Sequence, residues 1–395
     1  MSIICLKDVI AKLESGSRPK GGASTVEGIP SLGAEHLSYE GRIVFDKPKY
    51  VAQNFFDQLS SGILKDQDVL IVKDGATTGK VAIWMSEFEK ACINEHVFRI
   101  EIDSDKALPK YIFYFLISSY GNNQVLKDFR GATVGGISRS FADKVRMYLP
   151  SLSDQKQIVQ ILDTAETLRQ KRREQIKLLD DYLKSVFFEM FGDPRVKTRW
   201  DMIDFGKVID ILTDYHANGS YEILRNHVEL KSTPDYALMV RTTDLENNNF
   251  TDDVKYISKE AYEFLEKSKV YGGEIIINKI GSAGNVYLMP HLNKPVSLGM
   301  PFLLRFNEFA NTIFIYHLLT SEYGKCIIDS KVKGAVTKTI RKDAIRSLRI
   351  PLPPIGLQNK FASIVELAEQ TKQKMHESLD EMNNHFNALM QRYFG

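Results

Sequence analysis

The stretch with the strongest claim to chemistry is Asp74-Gly75-Ala76-Thr77-Thr78-Gly79-Lys80-Val81. It approaches the loop in which backbone N–H groups cradle phosphates, a lysine reaches them and the next Ser or Thr hydroxyl binds magnesium. The pattern breaks at both ends, because Asp74 replaces the first glycine and Val81 the magnesium-binding hydroxyl. A related stretch, Gly281-Ser282-Ala283-Gly284-Asn285, lacks the lysine as well. Nucleotide chemistry is therefore not expected of either. Both keep a small-residue loop between two glycines, after an apolar run and a lysine, Lys73 or Lys279. Such a loop is either a plain strand-to-strand turn or a place where backbone N–H groups meet a sugar-phosphate chain. On the second reading Lys73, Gly75, Thr77, Thr78 and Lys80, with Lys279, Ser282 and Asn285, face nucleic acid.

A second constellation is basic and polar. It comprises Lys127 to Ser140, with Arg130, Thr133, Ser138 and Arg139, and Lys331 to Lys342, with Lys333, Thr337, Lys338, Thr339, Arg341 and Lys342. Lysine and arginine interleaved with hydroxyls suit a segment that grips phosphates and probes bases, since arginine forks onto guanine and hydroxyls accept either groove partner. A solvated charged loop is the alternative. Other chemistry is thin. Asn94-Glu95-His96 has no metal-ligand spacing around it, and His96 is expected to be a hydrogen-bonded structural residue. No G-x-S-x-G elbow occurs, nor an acidic-Pro-Pro-aromatic tetrapeptide for a flipped base. No catalytic or metal residue is assigned, and the chain is not expected to be an enzyme. Cys5, Cys92 and Cys326 are too scattered for a disulfide framework or zinc site, and read as free thiols filling core positions in the cytosol.

These segments recur because the chain is written twice. Gly131 through Gly192 matches Gly334 through Gly395 without a gap at an offset of 334 − 131 = 203. Shared anchors include Gly131/Gly334, Arg146/Arg349, Gln155/Gln358 and the closing Phe-Gly pairs. Further upstream the offset drifts to 206, where Val69-Leu70-Ile71 meets Ile275-Ile276-Ile277. A period this long denotes a duplicated domain and excludes a short-repeat solenoid.

Each copy opens with about 150 residues of mixed pattern, with short buried-strand runs such as 69–72 and 275–277. A proline stop follows, at Pro150 or Pro351, Pro353 and Pro354. Then comes a long helix. Residues 154–190 contain no Pro or Gly, and apolar residues recur three or four apart at Ile158, Ile161, Leu162, Ala165, Leu168, Ile176, Leu179, Leu183, Val186 and Met190. The narrow stripe predicts a coiled-coil seam, with the two helices pairing antiparallel into a rod; each helix would be roughly 55 Å long. The expected fold is α+β: mixed domains over 1–150 and 193–353, and spacer helices over 151–192 and 354–395. Over 395 residues, 43% hydrophobic and 26% charged residues describe a folded soluble chain, with no apolar run of membrane-spanning length. The net charge of +2 excludes a highly basic coat protein, yet it allows local basic patches.

Taken together, Gly28-Ile29-Pro30-Ser31-Leu32-Gly33-Ala34-Glu35, Asp68 through Lys80, and Leu149-Pro150 leading to Gln155 resemble the specificity subunit of type I restriction-modification systems. The run from Ile350 to Gln358 and the helix ends at Phe191 and Phe394 extend the resemblance over the whole chain. It implies two target-recognition domains that read the halves of an asymmetric double-stranded DNA site, with the helices setting the gap. It further implies two modification subunits that carry S-adenosylmethionine, and optionally two motor-nuclease subunits using ATP and magnesium. This chain itself would hold no cofactor and act in the cytoplasm. The competing expectations are a coiled-coil adaptor without DNA contact and a nuclease built on scattered carboxylates.

Overall fold

The computed structural model describes residues 2–86, 88–131, 135–196 and 199–395. They form two compact units. One comprises the chain up to Glu174 together with His376–Gly395, and the other is Gln175–Met375.

In the first unit a four-stranded antiparallel sheet has the order Ile10–Ser15, Val97–Ile102, Val69–Val72, Val81–Ile83. Because side chains alternate across a strand, Val69 and Ile71 enter one core while Leu70 and Val72 enter another. A strand buried on both faces must read as an unbroken apolar run, as this one does. The first core also takes Tyr111, Ile112 and Phe115 from helix Pro109–Ile117. The second holds Trp84, which follows strand Val81–Ile83, and Leu32 and Ile93 from a smaller mixed sheet of Tyr50–Val51, Ile29–Leu32 and Cys92–Ile93.

The second unit repeats the plan. Its antiparallel sheet runs Ile209–Thr213, Phe302–Phe306, Ile275–Ile277, Val286–Leu288. Ile275 and Ile277 again face one core and Ile276 the other. Its smaller sheet is Lys255–Ile257, Ala237–Val240, Val296–Leu298, Lys269–Val270. In both units a two-stranded sheet, Ser2–Cys5 with Arg146–Leu149 or Met202–Asp204 with Arg349–Pro351, precedes the long helix.

The long helices run Leu152–Phe191 and Ile355–Phe394. Each start is tied down by one buried glutamine. Gln155 accepts from Leu108 N at 2.8 Å and donates to Pro150 O at 2.9 Å; Gln358 accepts from Asn311 N at 2.8 Å and donates to Pro353 O at 2.7 Å. The helices pack antiparallel. In the first unit Arg169 Nε donates to Asn383 Oδ1 at 2.8 Å and its guanidinium lies 4.2 Å from the Phe386 ring. In the second, Lys372 pairs with Asp180 at 2.7 Å and the Phe187 and Phe361 rings meet at 5.3 Å.

The seam differs in part from the sequence stripe. Ile161 and Leu168 are 42% and 52% exposed. Arg169 occupies the seam near Leu168 because its stem and planar head can bury against Phe386 while the head keeps a hydrogen bond. The thiols also depart from expectation. Cys92 is buried and pushed up to about 11 by that burial, but Cys5 is half-buried and Cys326 exposed, so only one of the three fills a core position.

Candidate nucleic-acid interface

The two constellations separated by about fifty residues of sequence meet in space, and they meet the same way twice. In the first unit Val69–Val72 and Val81–Ile83 form a hairpin whose loop holds Lys73 to Lys80. Backbone bonds join it to the basic segment: Ile137 N donates to Lys73 O at 2.7 Å and Gly75 N to Gly135 O at 3.1 Å. The segment closes on itself through Arg130 and Gly136, each N–H donating to the other's carbonyl at 2.9 Å. In the second unit Ile340 N donates to Lys279 O at 3.1 Å and Gly281 N to Lys338 O at 3.0 Å, while Lys333 and Thr339 close their loop at 2.9 and 2.7 Å.

The hairpin glycines are needed for two different reasons. Gly75 and Gly281 have φ of +90° and +81°, with open space where a side chain would project. Gly79 and Gly284 share that left-handed backbone, and an added Cβ would lie 2.8 Å from Leu126 of helix Ser119–Leu126 or 2.6 Å from Ile328 of helix Glu322–Asp329. The outer glycine leaves the loop open; the inner one lets it sit down on the domain.

Several expected DNA-facing side chains are engaged within the protein. Lys73 donates to Ser15 Oγ at 3.4 Å over the Phe98 ring. Its counterpart Lys279 pairs with Asp214 at 2.8 Å, and Lys342 reaches the other oxygen of that carboxylate at 3.1 Å, both beside the Phe302 ring. Burial disfavours ionisation of Asp214, but hydrogen bonds and charge from the two lysines outweigh it and hold the carboxyl below its ordinary range. Thr78 Oγ1 donates to Gly75 O at 2.7 Å and braces the turn. Ser138 donates both N and Oγ to Asp128, at 3.0 and 2.8 Å.

Most of the predicted residues that remain outward are cationic. Arg130 and Arg139 are exposed, Arg130 lying 3.5 Å from buried Asp128. Lys333, Thr337, Lys338 and Arg341 are exposed, and the three cations make no ion pair among the described residues. Thr77, in mid-loop, and Thr339, at its loop's closing bridge, are half-buried, and Thr339 Oγ1 donates to Lys333 O at 3.4 Å. Lys80 lies over the Tyr39 ring, Nζ 4.3 Å from its centroid. Ser282 donates to Glu246, and Asn285 to Tyr287 OH at 3.4 Å. Thr133 lies outside the described residues.

Sequence reading missed Asp128 and Asp214, the buried anchors of the basic segments, and Tyr39 and Glu246, which touch the hairpin loops. Asp214 stands 65 and 128 residues from its two lysines, and no local spacing could reveal it. His96 is hydrogen-bonded, through Nδ1 to Asp74 and Nε2 3.4 Å from Glu95. No group of three or more candidate metal ligands occurs among the described residues.

Two copies of one scaffold, each with an outward cationic loop bonded to an open hairpin and followed by a long helix, define a duplicated two-domain protein. The sequence model described as "Type I restriction modification DNA specificity domain" matches residues 1–178 and again residues 200–383, and the chain belongs to that family. The type I restriction enzyme MjaVIII specificity subunit of Methanocaldococcus jannaschii is 19% identical over 82% of this chain and 78% of its own length. The putative MjaX specificity subunit of the same organism is 22% identical over 96% and 91%. A solved S subunit of a type I restriction-modification system from M. genitalium is 14% identical, with a TM-score of 0.55 over 100% of this chain and 96% of its own. A chain from a structure described as the basis of complex assembly and conformational transition of the type I R-M system is 16% identical, with a TM-score of 0.59 over 100% and 97%. These likenesses show that the fold is shared.

Proposed function

We propose that this chain is the sequence-recognition subunit of a type I restriction-modification complex, each half reading one part of an asymmetric, bipartite double-stranded DNA site. The observation that carries the reading is the repeated bonding of hairpin loop to basic segment, at Lys73–Ile137 and Lys279–Ile340, in a chain of this family. Exposed Lys and Arg on such a loop supply phosphate contacts that set register, and nearby side chains read base edges. The halves share scaffold but few loop residues, so they select different sequences.

The long helices fix the spacing between the two reading surfaces and dock two modification subunits. Those partners bring S-adenosylmethionine and perform methylation. Two motor-nuclease subunits, with ATP and magnesium, join them for restriction. This chain contributes recognition without bond chemistry, and it works in the cytoplasm beside the chromosome. Methylation sequencing of the host before and after deletion of the gene tests the reading. One bipartite methylated motif should vanish; an unchanged set of motifs would overturn it.

A further inference from the structure

In both halves the hairpin loop touches a second surface turn, and the two contacts have opposite chemistry. The turns are equivalent, because each follows a central strand of the smaller sheet, Ile29–Leu32 or Ala237–Val240, and opens with the same brace. Gly33 N donates to His36 Nδ1 at 2.8 Å, and Arg241 N donates to Asp244 Oδ2 at 2.7 Å. Buried Leu37 and Leu245 come next. Beyond Leu37 stands Tyr39, 71% exposed, with Lys80 over its ring. Beyond Leu245 stands exposed Glu246, one carboxylate oxygen held by the Ser282 hydroxyl. Neither Lys80 nor Glu246 makes an ion pair among the described residues.

A lysine ammonium only donates hydrogen bonds, and a carboxylate only accepts them. In the major groove guanine presents two acceptors, O6 and N7, whereas cytosine presents an amino donor. An exposed carboxylate beside DNA is repelled by phosphate, so it favours binding only where a base donor meets it. Tyr39 and Ser282 act as holders that limit the freedom of the reading groups. We propose that Lys80 and Glu246 are specificity-determining residues: Lys80 selects a guanine in the half-site of the first domain, and Glu246 a cytosine in that of the second. The assignment rests on the DNA-recognition reading given above.

The test uses the complete methyltransferase, this chain co-expressed with its own modification subunits, and reads the methylated motif by sequencing. In Lys80→Met, which keeps the stem against Tyr39, one guanine position in one half should become degenerate, its preference falling about tenfold or more while the other half is unchanged. Lys80→Arg should retain that guanine, because arginine forks onto the same edge. Glu246→Gln should loosen one cytosine in the other half and favour adenine there, which pairs with a glutamine amide. An unchanged motif in Lys80→Met and Glu246→Gln, or an even loss of methylation with every motif position retained, overturns the assignment alone. A wild-type complex that methylates with no bipartite motif overturns the recognition reading and this assignment with it.

Discussion

Asp128 has no exposed side-chain surface, yet it shapes the exposed loop beside it by accepting from Ser138, Ser140 and Lys144. Burial opposes its ionisation, but Lys144 and Ser138 outweigh that and hold the carboxyl at about 2. A group depressed in the folded state stabilises above its unfolded value, near 3.8, and loses that contribution as pH falls toward about 2. Asp128→Asn should therefore cost roughly 2 kcal/mol at neutral pH. In urea melts its gap from the wild type should narrow as pH falls from about 5 toward 3. A different outcome is expected of the free cations. Replacing Lys333, Lys338 and Arg341 by Gln should leave the melting temperature within error and reduce the slope of log affinity against log salt by about 2.7, as for three lost phosphate contacts. At this scale residue types were legible, since the basic segments stood out in the sequence. Their destinations were not, because whether Lys342 meets solvent or Asp214 depends on a partner 128 residues away.

Among the elements, the strand 69–72 and its counterpart 275–277 were legible because each is sandwiched between two cores and so carries an unbroken apolar run. The long helices were legible from their freedom from Pro and Gly after a proline stop. Their seam was less so, because a periodic stripe counts only apolar residues, whereas Arg169 and Lys372 bury stems and keep their heads bonded. The glutamines shared by both copies now have a physical role. Gln358 satisfies Asn311 N and two carbonyls, Phe309 O at 3.1 Å and Pro353 O at 2.7 Å, inside the protein. Gln358→Leu takes their partner away from those groups and should destabilise the second unit by about 2–4 kcal/mol, measurable by denaturant unfolding. Gln358→Glu sets a buried carboxylate against those two carbonyl oxygens and should destabilise at least as much at neutral pH.

For the molecule as a whole, the sequence repeat and the compact units do not share boundaries. The repeat divides the chain near Gly192, whereas the first unit combines the chain up to Glu174 with His376–Gly395. That last segment carries Met390 and Phe394 into the first unit's core, where Phe394 packs 5.3 Å from Tyr111 and 6.1 Å from Phe115. A fragment of residues 1–192 should therefore bind a dye specific for exposed apolar surface and melt without cooperativity, and residues 193–395 supplied in trans should restore a sharp transition. Folding in the first fragment alone, with full cooperativity, would count against the shared core. The same arrangement acts on the ribosome. Residues up to Glu174 emerge first but lack part of their core until residues 376–395 follow, a wait of about 10–40 s at ordinary elongation rates. During that interval the face of helix 109–117 that will receive Phe394 is uncovered, so the nascent chain is most in need of a chaperone at the half of the molecule made earliest.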